Sequence, residues 1–205
     1  MSDATAAVPI AVPEIETARL KLRQLTDADM GFIYEIFSRD ETNRHVSDDP
    51  VRSMDEAREL FEAYIRPKPY LFRLGLFLKS TGRPIGTIGL YGVDMENLRA
   101  VLDFDLLKEF WGKGYMTEAS IAVLDYGFRV IGLNRIQASA DADNHRSLAV
   151  IERVGFTKEG LMRQKDFYKG SFHDDVVYSF LRQDWPGMKR GYEASQGSCD
   201  THDKR

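Results

Sequence analysis

The chain has 205 residues, 43% of them hydrophobic, 29% charged and 11% aromatic, which is the balance of a globular protein with enough chain to bury a core and excludes a collagen-like or wholly disordered one. Twenty-eight Lys and Arg against 32 Asp and Glu leave a net charge of −4, so a nucleic-acid partner gripped by phosphate neutralisation is not expected. The single cysteine, Cys199, excludes an internal disulfide or a cysteine zinc site. No apolar run approaches the ~20 residues of a membrane span, and no basic segment leads the chain, so no membrane partner is expected and the protein reads as cytoplasmic.

Residues 1–14 carry small residues and prolines and read as a flexible arm. Residues 186–205, almost free of aliphatic side chains, read as a disordered tail, which leaves a folded domain over 15–185. In chain order, the alternation in Arg19–Arg23 predicts a strand, and Thr26-Asp27 opens a helix to about Ser38. Ser53 and Glu56 form a capping-box pair at the head of a second helix, which reaches Ile65. Tyr70–Lys79 and Pro84–Tyr91 read as strands joined by a Ser80-Thr81-Gly82 turn. A strand over Ala100–Leu107, a helix over Tyr115–Ile131 and a strand over Arg135–Ala140 follow, with Gly132 closing the helix. A short helix over Ser147–Val154 and strands over Phe156–Arg163 and Val176–Leu181 complete the order βααβββαβαββ, an α/β sheet domain.

The chemistry is concentrated where the strand at Leu106-Leu107 runs through Trp111-Gly112-Lys113-Gly114 into the helix beginning Tyr115-Met116-Thr117. The first turn of a helix leaves backbone N–H groups unpaired at the positive end of the helix dipole, a setting that suits a phosphate or pyrophosphate. Gly112 and Gly114 let the backbone come close to an anion and adopt positive φ, and Lys113 adds charge. The spacing is not that of a P-loop, because Gly114 follows Lys113. It is not a dinucleotide fingerprint either, because Thr117 stands where a third glycine belongs. A plain tight turn is the alternative. Trp111 and Tyr115 flank the loop and read as anchors to the core. Periodicity reads most of Tyr34, Phe37, Phe61, Tyr64, Tyr70 and Phe72 as core packing.

Trp111-Gly112-Lys113-Gly114-Tyr115-Met116-Thr117-Glu118-Ala119 resembles the acetyl-CoA loop of the GNAT N-acetyltransferase superfamily, in particular its RimJ/RimL-like group. Glu16–Arg23, Ile85–Leu90, Asn144-His145-Arg146-Ser147 with Gly155-Phe156 and Glu159-Gly160, and Asp184-Trp185 resemble the group's other motifs in the same order, so that the resemblance covers about 15–186. It implies the GNAT fold: a mixed, mostly antiparallel sheet with splayed parallel fourth and fifth strands and helices on both faces. It also implies acetyl-CoA as cosubstrate, with the pantetheine arm in the splay against Leu106 and Leu107. The pyrophosphate would lie on the backbone from Gly112 to Thr117, and Asn144 and Ser147 near the thioester. Trp111, Lys113, Tyr115 and Met116 belong to the same binding set.

The implied reaction carries the acetyl group directly to a primary amine, of a protein N-terminus or a small molecule, with no covalent enzyme intermediate. An α-amine with a pKa of about 8 is neutral roughly 10% of the time at pH 7, and a lysine of about 10.4 roughly once in 2,500, so deprotonation costs about 1.4 or 4.6 kcal/mol. Asp103 and Asp105 share one face of their strand and are the candidates to draw in the ammonium and accept its proton. The glutamate many relatives carry there is Val101, and the tyrosine many use to protonate the departing thiolate is Ile151. Ser147 is the candidate for that second task, with helix capping as its competing role. Glu159 is a candidate for a second acidic group near the acceptor, with a solvated surface carboxylate as its favoured reading. The four histidines show no metal-ligand spacing, and no metal is expected. A monomer or a homodimer fits equally. The other reading the residues leave open is a non-catalytic acyl-CoA-binding or sensor module on the same fold, motivated by Val101 and Ile151.

Overall fold

The structure, a computed structural model, describes residues 12–45 and 48–186. The expected arm over 1–14 therefore lies outside the described residues as far as residue 11, and the expected tail over 186–205 lies outside them from residue 187. A strand forms where the alternation demands one: in β2 (Leu20–Gln24) Leu20 and Leu22 are buried and Lys21 and Arg23 are half-buried. A two-residue strand, β1 (Ile15–Glu16), precedes it and pairs antiparallel with it. The remaining strands are β3 (Phe72–Leu78), β4 (Pro84–Asp94), β5 (Arg99–Leu106), β6 (Arg135–Asp141), β7 (Thr157–Tyr168) and β8 (Ser171–Leu181). They make one eight-stranded sheet in the order β1-β2-β3-β4-β5-β6-β8-β7. Every neighbouring pair is antiparallel except β5 and β6. The expected fourth and fifth strands are thus β5 and β6, displaced by one because of β1.

Helices α1 (Met30–Phe37), α2 (Met54–Leu60), α3 (Tyr115–Tyr126) and α4 (His145–Val154) link the strands. Two neighbours on β3 show that helices cover both faces. Phe72 meets the ring of Tyr126 on α3 edge-on at 5.8 Å, whereas Arg73 turns the other way, its guanidinium 5.9 Å from the ring of Phe37 on α1. The α3 side of the sheet buries Leu74, Leu76, Ile88, Leu90, Leu102 and Ile136 against Met116, Ala119, Val123 and Leu124. At roughly 1.5–3 kcal/mol for each such side chain this is the dominant favourable contribution to the fold.

Two predicted helices are not α-helical throughout. Residues Phe61–Ile65 and Gly127–Ile131 form π-helical turns after α2 and α3, where an extra residue per turn relaxes the 3.6-residue period. At the second, a Cβ on Gly127 would stand 2.8 Å from Ile136 Cδ1, so glycine lets the helix close onto β6. The terminal hairpin is longer than its apolar residues suggested. β7 and β8 run to a two-residue turn at Lys169-Gly170, where both residues have positive φ, +48° and +81°, a turn whose twist matches the strands. Tyr64 and Tyr70 are exposed rather than core residues.

Candidate functional site

β5 and β6 pair only at Arg99–Val101 with Arg135–Gln137. Beyond that, β5 follows β4 as far as Leu106 and β6 follows β8 as far as Asp141, so the two parallel strands part toward their C-terminal ends. Leu107 N–H donates to the Ile85 carbonyl at 2.9 Å. By the alternation of an antiparallel ladder, Asp105 and Asp103 then also bond to β4, and Leu102, Phe104 and Leu106 turn their backbone groups to the β6 side, where the Leu102 N–H completes the last rung with Gln137 and the groups beyond it face the gap. Leu107 itself is fully buried. The strand edge facing the splay is therefore built from Leu102, Phe104 and Leu106 rather than from Leu106 and Leu107. The Leu106 carbonyl accepts the indole N–H of Trp111 at 2.7 Å, which anchors the loop as expected of that aromatic.

At the open end of the splay lies the glycine loop. Gly112 and Gly114 have φ of +73° and +77°, the left-handed region that a side chain disfavours. The first backbone bond of α3 runs from Glu118 N–H to the Gly114 carbonyl at 3.1 Å, so the N–H groups of Tyr115, Met116 and Thr117 precede the helical ladder. Thr117 Oγ1, like Ser120 Oγ three residues on, is buried without a hydrogen-bond partner. Lys113 is exposed, its ammonium 5.4 Å from the Phe110 ring centroid. Glu118 ties the loop to the start of β2: it accepts from Thr17 Oγ1 (2.6 Å), Arg19 N–H (2.8 Å) and Arg19 Nε (2.6 Å). Arg19 also donates to the Lys113 carbonyl at 2.9 Å and lies 4.5 Å from the Tyr115 ring centroid. The exposed N–H groups at a helix N-terminus have the chemistry of an anion site, and Arg19 and Glu118 fix the loop in this conformation.

Across the gap, Asn144 rather than Ser147 caps α4. Asn144 Oδ1 accepts the Ser147 N–H at 3.2 Å, which removes capping as the competing role of the serine side chain. Ser147 is half-buried in the first turn, one turn ahead of the buried Ile151. Arg146 places its guanidinium 4.6 Å from the Trp111 ring, linking the two sides of the opening.

The helix α1 face of the sheet carries the acid–base groups. Arg73 donates through Nε to Thr87 Oγ1 at 2.9 Å, through Nη1 to Asp103 Oδ2 at 2.6 Å, and through Nη2 to Asp105 Oδ2. Thr87 Oγ1 also donates to Asp105 Oδ2 at 3.3 Å. Asp103 is half exposed, whereas Asp105 is mostly covered, and burial together with the charge of Asp103 pushes the Asp105 carboxyl up to about 6 against the pull of Arg73. The pair expected from strand parity is thus assembled, but it shares a buried guanidinium that the sequence reading missed. Its only advance signal is an arginine inside the apolar run of β3.

The other half of this face holds Asp141. It accepts from Tyr168 Oη and from Asp143 N–H at 2.7 Å, and two histidine nitrogens lie near it, His173 Nδ1 at 2.9 Å and His45 Nδ1 at 3.9 Å. The Tyr168 hydroxyl lowers the Asp141 carboxyl, and burial raises the Tyr168 phenol. Histidines without ligand spacing are thus brought together by tertiary structure, yet among the described residues no group of three or more His, Cys, Asp or Glu is arranged to hold a metal. Glu159 is not at the open end. Arg135 grips it at 2.5 and 2.7 Å beside the paired end of β5 and β6, with Ser179 donating at 2.7 Å, and these contacts hold its carboxyl down at about 2.

The family model described as an acetyltransferase (GNAT) domain matches residues 19–157. The chain belongs to the GNAT acetyltransferase family. Among its curated relatives, the uncharacterized N-acetyltransferase YoaA of Bacillus subtilis (strain 168) is 33% identical over 172 residues, 83% of this chain and 97% of that protein. Spermidine N(1)-acetyltransferase of Escherichia coli (strain K12) is 22% identical over 77% of this chain and 83% of its own length. The structure of spermidine N-acetyltransferase from Vibrio cholerae in complex with CoA and spermine superposes with a TM-score of 0.74 at 23% identity, covering 82% of this chain and 99% of that one. In this GNAT enzyme, an N-acetyltransferase, the splay, the glycine loop and the α4 N-terminus meet at one end of the sheet. No helix among the described residues is long and apolar enough to cross a membrane.

Proposed function

We propose that this enzyme transfers the acetyl group of acetyl-CoA directly to a primary amine, as a member of the RimJ/RimL-like group. The observation that carries the reading is the splay of β5 and β6 opening onto a loop whose two glycines have positive φ ahead of three first-turn N–H groups. Bound acetyl-CoA supplies an already activated acyl group. Gly112, Lys113, Gly114, Tyr115, Met116 and Thr117 take its diphosphate, Leu102, Phe104 and Leu106 present backbone groups to its pantetheine arm, and Trp111, Asn144 and Ser147 flank the thioester end. Asp103 attracts the acceptor ammonium, Asp105 takes its proton, and the Ser147 hydroxyl gives a proton to the departing sulfur. No residue need become acylated, because the amine attacks the thioester itself.

The acceptor is a small-molecule amine or a protein N-terminus. Asp103, Asp105, Asp141 and Asp175 share one sheet face by register, and the half-exposed Asp103 among them favours a cationic acceptor. The reading includes a cytoplasmic monomer or homodimer. Spermidine, the substrate in the names of two relatives, meets that description. The test is incubation with acetyl-CoA and a panel of spermidine, free amino acids and N-terminal peptides, reading free thiol and the acetylated product by mass. Thiol release that depends on one amine supports the proposal. Tight coenzyme A binding with no amine-dependent release would instead make the protein a binding module.

A further inference from the structure

Arg73 is buried, with 8% of its surface exposed, in the middle of β3. Its fork of N–H donors is used on two other strands at once, toward Thr87 on β4 and toward Asp103 and Asp105 on β5. Exchanging such a network for apolar residues of similar volume is often neutral or stabilising, so fold stability gives little reason for a guanidinium here. The two carboxylates differ in their access to solvent. The Asp103 side chain is 48% exposed and that of Asp105 18%. A cation arriving from solvent meets Asp103 first, and Asp105 lies deeper, aimed by Thr87 and Arg73.

Resting on the acetyltransferase reading above, we propose that Arg73 is a positioning residue that divides the acid–base work between the two aspartates. It pins Asp103 as a standing carboxylate for the acceptor ammonium and holds Asp105 in place as the proton acceptor. One proton passes from the ammonium to the Asp105 carboxylate, and the freed lone pair forms the N–C bond as the C–S bond breaks. The second amine proton passes to Ser147 as the Ser147 hydroxyl proton passes to the sulfur, giving amide and thiol with the serine restored. A guanidinium suits the task because it stays protonated at any working pH and its planar fork reaches both carboxylates. Among the described residues, these groups face the cluster. β4 adds Thr87 and Tyr91, α1 adds the uncharged ring of Phe37, and Lys165 and Asp175 from β7 and β8 act on Tyr91. The Asp105 carboxyl, raised to about 6, is balanced between burial and Asp103 on one side and Arg73 on the other.

That balance predicts opposite shifts for two substitutions. Arg73→Met removes the stabilising cation and moves the acid limb of the kcat/KM profile to higher pH by about one unit. Asp103→Asn removes the like charge and moves it to lower pH. Arg73→Lys, which keeps the charge but not the fork, moves the limb back toward wild type. The same order of titrations is expected from 13C NMR of the aspartate carboxyls without any substrate, with the Asp105 signal assigned by its loss in Asp105→Asn. If Arg73→Met and Arg73→Lys lower Tm yet leave both the profile and the carboxyl titrations as in wild type, Arg73 is only a structural tie and the proposal fails. If the wild type acetylates no amine, the acetyl-transfer reading fails by itself, and the substrate-free titrations still decide the role of Arg73.

Discussion

Gly114 has φ of +77°, and a Cβ there would find only Arg19 Nη2, at the ordinary contact distance of 3.4 Å. Backbone conformation rather than space is therefore what an alanine would violate, at about 1 kcal/mol. Gly114→Ala should lower Tm by about 2–4 °C in a chain of this size. It should also raise KM for acetyl-CoA more than it lowers kcat, because the N–H groups that follow would be misaimed. A Tm loss with KM unchanged would show that the glycine serves the turn alone. Asp105 gives a second residue-level prediction. Its carboxyl is raised to about 6 in the fold, against about 3.9 for an unfolded aspartate. Its contribution to stability is thus fully present below the unfolded value and is lost as pH rises through about 6. Asp105→Asn should remove that part of the slope, seen as a smaller drop in urea midpoint between pH 4 and pH 7 than the wild type shows.

At the scale of elements, the loop is placed by what α3 does to β2. Glu118 gathers three donors from Thr17 and Arg19, which hold its carboxyl below the ordinary glutamate range. The stabilisation is present above that range and fades as pH falls through the lowered value. Because Arg19 is nearly half exposed, the ion pair is discounted for solvent, and Glu118→Ala should cost about 1–2 kcal/mol. The same variant should weaken coenzyme A binding measured by calorimetry, since the start of α3 loses its tie to the sheet. Unchanged affinity would mean that the loop keeps its shape without β2. The terminal hairpin depends on a comparable tie, because Lys169 donates to the carbonyls of Asn43 and Arg44 and so joins the β7–β8 turn to the segment after α1.

For the molecule as a whole, binding in the splay stabilises both of its walls. Coenzyme A at a hundred times its Kd should add about 2.7 kcal/mol, or about 5–10 °C in Tm, and a chelator should leave that shift intact. A scan with no shift at saturating coenzyme A would remove the basis for the cosubstrate site. How much of this was legible beforehand follows from which forces are local. Gly112 and Gly114 announced a left-handed loop because glycine's tolerance of that conformation is a property of the residue itself. The parallel pair of β5 and β6 was implied by the family resemblance, and the strand–helix–strand order from Ala100 to Ala140 is compatible with it because a helical crossover returns the second strand parallel to the first. The parity of Asp103 and Asp105 needed only the two-residue period of a strand.

Arg73 was not legible, since its partners lie 30 and 32 positions along the chain and are fixed by the pairing of β3 with β4 and of β4 with β5. The meeting of Tyr168, His173 and Asp141 was hidden for the same reason, and the far end of β7 because its residues are polar on an exposed edge. The glycine loop and the order of the elements after β1 were thus legible in the sequence through short-range conformational preference and periodicity, and the family through the motifs it resembles at 111–119 and 144–160. Tertiary structure decided which carboxylate shares a cation, which backbone edge faces the splay and which residue caps α4. Those outcomes depend on register, burial and charge between segments distant in the chain, where one residue of slip would exchange the faces of a strand.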